Sequence, residues 1–247
     1  FKQLRDELWY SEELNALLGG FPEDILYINY LDKLFNVETY IFLSRHSSEK
    51  AVKSLTAHHT GNVTFSVSHG ARARELSYTN PRLLKTIMLS LKRYAEELNI
   101  SNEYEVTLEV THHGPTELKR PIIFVEIGSR IDDWENPKAG ECIGRAVLEA
   151  LSSKSMLSSE WVTALGFGGG HYARKHTKLE LESNICYSHI FSKYMIGHVD
   201  EEIVQQAVKK TLEGCGLAIL EKKSIKASDR RRLVEILQRL QLEVKYI

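Results

Sequence analysis

The sequence predicts an α/β protein, and three observations carry that reading. Short apolar runs alternate with stretches of helical periodicity along most of the chain. Two Asn-Pro pairs, Asn80-Pro81 and Asn136-Pro137, have the form of helix starts. Segments dense in Gly, His and Ser follow the apolar runs, where α/β sheets present their ligands.

Taken in order, Ile25 to Asn29 reads as a strand, and so does Glu38 to Ser44, which runs into Arg45-His46-Ser47-Ser48. Asn80 and Pro81 open a long helix with Leu84, Ile87, Met88, Leu91, Ala95 and Leu98 as its buried stripe. Tyr104, Val106, Leu108 and Val110 then alternate with Glu105, Thr107, Glu109 and Thr111, the pattern of a half-buried strand, and His112-His113-Gly114-Pro115-Thr116 follows. Pro121 to Ile127 is a second, more apolar strand leading into Gly128-Ser129. Asn136-Pro137 opens a helix carrying Ile143, Ala146, Val147 and Ala150. Trp161 to Leu165 is a strand entering Gly166-Phe167-Gly168-Gly169-Gly170-His171-Tyr172. Asp200 caps a helix with Ile203, Val204, Ala207, Val208 and Leu212, and Gly214 reads as its stop. The chain closes with a strand (Leu217 to Leu220), a helix (Asp229 to Leu240) and a strand (Leu242 to Tyr246). No linker interrupts this order, so residues 1–247 read as a single domain, or two closely packed lobes.

Composition excludes several classes. With 247 residues, 43% hydrophobic and 26% charged, the chain can bury a large core and is not a disordered segment. No apolar run approaches the ~18 residues of a membrane span, no secretion signal is visible, and no membrane partner is expected. Cys142, Cys186 and Cys215 are odd in number and form no C-x-x-C pair. That argues against a disulfide framework or a cysteine zinc site, and fits a cytoplasmic location. The net charge of −1 hides an asymmetry, because residues 205–247 hold ten Lys/Arg against five Asp/Glu. Lys222, Lys223, Lys226, Arg230, Arg231 and Arg232 crowd one connection there. Such an end suits a polyanion, although a solvated helix face gives the same pattern.

The chemistry-bearing residues lie at four strand exits, which meet at one site if the strands run parallel. Adjacent histidines such as His112 and His113, or His58 and His59, face opposite ways if the strand continues through them. A lone histidine is usually a hydrogen-bonded polar residue, but Gly and Pro around His112, His113 and His171 let a ligand come close. Glu126, between Val125 and Ile127, is costly to bury unless it is paired or metal-bound. It reads as a metal ligand or general base, or as an exposed strand end. Gly168-Gly169-Gly170 matches neither G-x-G-x-x-G nor a Walker loop. It presents backbone N–H groups to an oxyanion or phosphate, or simply makes a tight turn.

Taken together, Ser44-Arg45-His46-Ser47-Ser48, His58 with Thr60-Gly61-Asn62, Thr111 to Thr116 (THHGPT), Phe124 to Ser129 with Trp134, Gly166 to Lys175 and Ser188-His189-Ile190 resemble the motifs of the D-aminoacyl-tRNA deacylases of archaea and plants. The resemblance runs in order, at similar spacing, from about Ile25 onward. Arg174 stands where that family usually has Pro and Ser188 where it has Gly, and residues 65–78 diverge. The family normally has an apolar strand before the region that Phe1 opens, so an N-terminal segment is expected to be missing.

The resemblance implies hydrolysis of the ester between a D-amino acid and tRNA. It implies a three-layer α/β fold with a mixed central sheet, like that of the phosphorylases and peptidyl-tRNA hydrolases, and a Zn2+ cofactor. On this reading His112, His171 and His58 hold zinc, and Glu126 or His113 takes the proton from water. The N–H groups of Gly168, Gly169 and Gly170 hold the oxyanion. Ser47, Ser48, Thr116, Arg230 and Arg231 contact the substrate, whose acceptor end is the partner; DNA is not. Two rivals remain at this point: a peptidyl-tRNA hydrolase-like enzyme, and a non-catalytic tRNA-binding module whose histidines close around a structural metal.

Overall fold

The structure is a computed structural model that describes residues 1–48, 51–153 and 160–247. It opens with an exposed antiparallel meander, β1 (Lys2–Arg5), β2 (Leu8–Ser11) and β3 (Ala16–Gly19). The strand expected at Ile25 is instead a short 3-10 turn, Ile25–Tyr27. Asp24 caps it by accepting from the Leu26 N–H, a local side-chain bond that competes with extended backbone.

The remaining strands are β4 (Tyr40–Ser47), β5 (Ser54–His58), β6 (Gly61–Asn62), β7 (Glu75–Leu76), β8 (Glu105–Leu108), β9 (Ile122–Ser129), β10 (Val162–Phe167), β11 (Ile185–Phe191), β12 (Leu217–Leu220) and β13 (Glu243–Tyr246). The described helices are α1 (Pro81–Glu97), α2 (Ile131–Trp134), α3 (Pro137–Ser152), α4 (Arg174–Glu182), α5 (Glu201–Lys209) and α6 (Ala227–Arg239). None of them is long and apolar enough to cross a membrane.

Two four-stranded sheets make the body. One is mixed, in the order β4-β9-β5-β8: β4 runs parallel to β9, β9 antiparallel to β5, and β5 parallel to β8. The other, β11-β10-β12-β13, is parallel throughout. The strands therefore do not share one direction, and their exits do not meet at one carboxyl edge. The chain beyond β8 joins the sheets instead: Glu109 bridges to Tyr172, Val110 N–H donates to His171 O (3.0 Å), and Thr111 N–H to Ile190 O (2.7 Å).

Strand alternation sorts side chains to both faces. Ile123 and Val125 of β9, with Leu217 and Ile219 of β12, join the core under α1 and α3. Ala218 and Leu220 pack in a second core with α5 and α6, and Ile122 and Phe124 in a third with Ile28 and Leu31. The helix starts form as the sequence indicates. Asn80, Asn136 and Asp200 each accept a first-turn N–H, an interaction worth about 1 kcal/mol per cap.

Several boundaries differ from the sequence reading, two of them for a reason the pairing shows. α5 ends at Lys209, well before Gly214, because Thr79 captures the chain at Thr211. Thr79 N–H donates to Lys210 O (2.9 Å), and Leu212 N–H to Thr79 O (3.0 Å). β9 continues past Glu126 to Ser129, since β4 on one side and β5 on the other keep its backbone paired.

Candidate active site

Five imidazoles and two carboxylates converge where the sheets join. His46 is the penultimate residue of β4, and the Trp134 indole N–H donates to its carbonyl (3.0 Å). His58 ends β5 opposite Phe124. Glu126 lies within β9, paired with Ser44 on one side and Thr56 on the other. Glu109 follows β8 and extends its ladder by donating N–H to Ala57 O (3.2 Å). The Thr60–His112 bridge holds the double histidine, and the sheet junction places His171.

The alternation expected of His112 and His113 does not occur. His113 has φ +38°, in the left-handed region, so the strand pattern is broken and both rings join one cluster. Their centroids are 4.4 Å apart, and they lie 4.4 Å (His112) and 4.8 Å (His113) from that of His58. Gly114 is required next. Its N–H donates to His69 O (2.9 Å), and a Cβ there would overlap the Gly70 backbone.

Three overlapping groups could hold a cation, each with ligand atoms within 4.8 Å of one another: His58, His112 and His113; His46, Glu109 and His171; and His58, Glu109 and Glu126. In the first group each Nδ1 is engaged by a backbone carbonyl: His58 with His59 O (3.1 Å), His112 with Val110 O (2.7 Å) and His113 with Gly114 O (2.7 Å). A carbonyl can only accept, so Nδ1 carries the proton and Nε2 presents its lone pair, the arrangement of a metal-ligating histidine.

Burial, with His58 next to it, holds His112 well below the usual imidazole range, and the same causes bring His113 down to about 4. Both are therefore neutral near pH 7. The His112 Nε2 lone pair nevertheless sits 3.5 Å from Glu109 Oε2. His46 Nδ1 (3.4 Å) and His171 Nε2 (3.0 Å) also face the Glu109 carboxylate, whose side chain is 0% exposed. Burial pushes Glu109 toward the neutral acid, but the surrounding histidines outweigh it and keep the group ionised. Burial likewise opposes charge on His58, while Glu126 (Oε2 at 3.4 Å from Nε2) and Glu109 raise its affinity for a proton.

Among the described residues, His46 Nε2, His58 Nε2 and both Glu109 oxygens are buried without a partner in hydrogen-bond geometry. Unpaired buried groups of this kind are costly, and ionised ones most of all. A divalent cation would satisfy the lone pairs and balance the carboxylates, so the residues present fit one.

The cluster opens into a cleft of about 1400 Å³. His46, His112, His113, Glu126 and His171 line its floor. Ser47, Ser48, Trp134, Tyr172 and Tyr194 lie around them.

A family model described as D-aminoacyl-tRNA deacylase matches residues 34–245. The chain belongs to that family. A D-aminoacyl-tRNA deacylase of Staphylothermus marinus is 40% identical over 235 residues, covering 94% of this chain and 84% of the relative. That of Aeropyrum pernix is 39% identical, covering 93% and 84%. That of Methanosarcina acetivorans is 44% identical over 84% of this chain and 66% of its own length. A crystal structure described as a conserved protein of unknown function superposes with a TM-score of 0.87 at 32% identity, covering 97% of this chain and 82% of the other.

Within this deacylase-family chain the sequence-derived site residues fall into three sets. His58, His112, His113, Glu126 and His171 are brought together, with His171 beside Glu109 rather than beside His58. Ser47 and Ser48 line the cleft, and Ser48 Oγ lies 3.1 Å from Ser129 Oγ. The remaining residues are differently employed. Gly168 N–H donates to Phe191 O (2.8 Å) and Gly169 N–H to Ser224 Oγ (2.9 Å), so these two are not free for an oxyanion; of the three glycines, Gly170 reaches the cleft. Thr116 is buried away from the cleft lining, and its hydroxyl accepts from Arg72 N–H (3.1 Å). The Arg230 guanidinium donates to Lys222 O (3.0 Å) and Ile225 O (3.2 Å), while Arg231 is exposed.

Glu109 and His46 were not singled out by sequence reasoning. Alternation along 104–111 puts Glu109 on the same side as Glu105, which is half-buried, whereas Glu109 is 2% exposed. The Ser-Arg-His-Ser-Ser run did mark the neighbourhood of His46.

Proposed function

We propose that this chain hydrolyses D-aminoacyl-tRNA, cleaving the carboxylic ester to release free tRNA and a D-amino acid. Membership of a family whose relatives carry that name gives the reaction class, and the histidine–carboxylate cluster on the cleft floor is the observation that supports this as the site of the chemistry. The cleft is large enough for an aminoacylated nucleoside, which supports the acceptor end of tRNA as the part that enters. The alternating cores on both sheet faces favour the three-layer arrangement with a central sheet.

We assign the cluster to Zn2+, with His58, His112 and His113 as principal ligands and Glu109, His46 and His171 as an adjoining set. When bound, zinc supplies Lewis-acid polarisation of the carbonyl and a water of lowered pKa. The protein's own groups do the rest. His113, with its proton affinity lowered to about 4, is a poor general base at neutral pH and a better ligand. Glu126 lines the cleft and faces His58 and His46, so it is placed to take a proton from water. His171, whose side chain is 43% exposed and whose Nε2 faces Glu109 Oε2 at 3.0 Å, is placed to return a proton to the leaving ribose oxygen. The Gly170 backbone and the Ser47 and Ser48 hydroxyls contact the aminoacyl part at the mouth.

The test is incubation of the purified chain with D- and L-tyrosyl-tRNA and with N-blocked peptidyl-tRNA, with and without a chelator. The expected result is chelator-sensitive cleavage of the D ester alone. Equal rates on both stereoisomers would reduce the reading to a general esterase, and preference for the blocked substrate would replace it with a peptidyl-tRNA hydrolase.

A further inference from the structure

Three aromatic rings on the cleft wall each carry a cation on one face. The Arg45 guanidinium lies 5.1 Å from the Trp134 ring, that of Arg174 5.9 Å from Tyr172, and Lys193 Nζ 5.0 Å from Tyr194. All three rings line the same cleft as His112 and His171. They differ in what is left open. Tyr172 packs edge-on against His46 and His171, and the Trp134 N–H is engaged by His46 O. Tyr194 is 70% exposed, a large ring held in water on a folded surface. It is also anchored, because the Lys193 N–H before it donates to Gly169 O (3.0 Å), in the loop that leads to His171.

An exposed aromatic ring with an ammonium beside it, at the mouth of a cleft, is how proteins hold single-stranded nucleic acid: the base stacks and the cation meets a phosphate. The ester sits on the ribose of the terminal nucleotide, so that nucleotide's base lies within one nucleoside of the reacting carbonyl. Resting on the function proposed above, we infer that Tyr194 is the stacking platform for the 3′-terminal base of the tRNA, with Lys193 on the adjacent phosphate. Arg174 is held by a two-point pair with Glu105 (2.6 and 2.7 Å) and is not the phosphate contact.

The probe is a short single-stranded RNA ending in CCA, with 2-aminopurine replacing the terminal adenine so that stacking quenches its fluorescence. Tyr194→Ala weakens binding by about 5- to 150-fold, the factor that ~1–3 kcal/mol per stacked base gives, and abolishes the quench. Tyr194→Phe keeps both. An RNA with an abasic terminal nucleotide binds wild type and Tyr194→Ala equally. With D-tyrosyl-tRNA, KM rises by the same factor for Tyr194→Ala while kcat changes far less. Equal affinity and quench for wild type and Tyr194→Ala overturn the assignment even if D-aminoacyl ester is cleaved. Base-dependent RNA binding by a wild type that cleaves no D ester leaves the stacking platform standing and overturns the proposed reaction.

Discussion

His176 offers a test of the structure that does not depend on any metal. It lies on the buried face of α4, fully buried, with Nδ1 2.8 Å from the Tyr187 hydroxyl. Burial lowers its pKa from 6.5 to about 4. In the unfolded chain the imidazole binds a proton near pH 6.5, and in the folded one it resists until about 4. The contribution to stability is therefore complete above about pH 7 and is lost as pH falls through 6.5 toward 4. A displacement of that size corresponds to roughly 3 kcal/mol in full, of which about 2 kcal/mol is gone by about pH 5. The variant His176→Gln removes the titrating group while keeping a polar side chain. Urea unfolding of wild type and variant, both with chelator, gives the stability difference at about pH 7.5 and about pH 5. That difference should shrink by ~2 kcal/mol at the lower pH, because only the wild type suffers the proton uptake. A difference unchanged between the two pH values would refute the burial argument for this histidine.

Glu109→Gln keeps the shape of the cluster but removes its most buried charge. Bound zinc per chain, read by elemental analysis, should fall, and D-aminoacyl-tRNA hydrolysis should slow by at least about 10- to 100-fold, with unchanged circular dichroism. Gly114→Ala forces a methyl group into the Gly70 backbone and should lower the melting temperature and activity together; a stable, active variant would show that the loop can open there. Exchange of Lys222, Lys223 and Arg231 for Gln should flatten the dependence of log affinity for tRNA on log salt by about 2 in slope, at ~0.7–0.9 per phosphate contact. Arg230 and Arg232 are less suitable probes, since their guanidinium groups donate to backbone carbonyls that would be left unpaired.

What the sequence reveals of this fold follows from where local signals are strong. Asn-Pro starts and apolar stripes locate α1 and α3, because caps and amphipathicity act within one segment. The strand Leu217–Leu220 is legible as a bounded apolar run. α4 is not legible, because RKHTKLELE has few apolar residues and takes its place by burying His176, Thr177 and Glu180. β11 is hidden because Ser188 and His189 interrupt its apolar pattern. Both are buried and satisfied by long-range partners, Thr79 and Thr211 for the serine, Thr111 and Ser77 for the histidine. Unusual residue clusters marked the neighbourhood of the site, but the assumption of parallel strands misplaced its geometry. The left-handed turn at His113 and the burial of Glu109 depend on the junction of two sheets, which no local pattern encodes.

The charge distribution makes sense only when floor and rim are considered together. Glu109 and Glu126, both buried, give the floor a negative potential that would repel a phosphate-bearing substrate. Neutral His112 and His113 do not offset it. Protonation of His58, His112 and His113 would balance the carboxylates, but it would also remove the lone pairs that the backbone carbonyls have oriented inward. A bound dication would remove the conflict, taking up the histidine lone pairs and meeting the carboxylates with positive charge, and would turn the floor from repulsive to attractive toward an ester carbonyl. The polyanionic part of the substrate would then stay outside the floor, where exposed cations such as Lys222, Lys223 and Arg231 can meet it. On this account metal removal should weaken tRNA affinity as well as stop turnover, because an uncompensated floor opposes entry of the terminal phosphate. Binding of uncharged tRNA with and without chelator separates the two effects. An affinity indifferent to the metal would mean that the terminal phosphate never approaches the carboxylates, and that the electrostatic role of the metal is confined to the reacting ester.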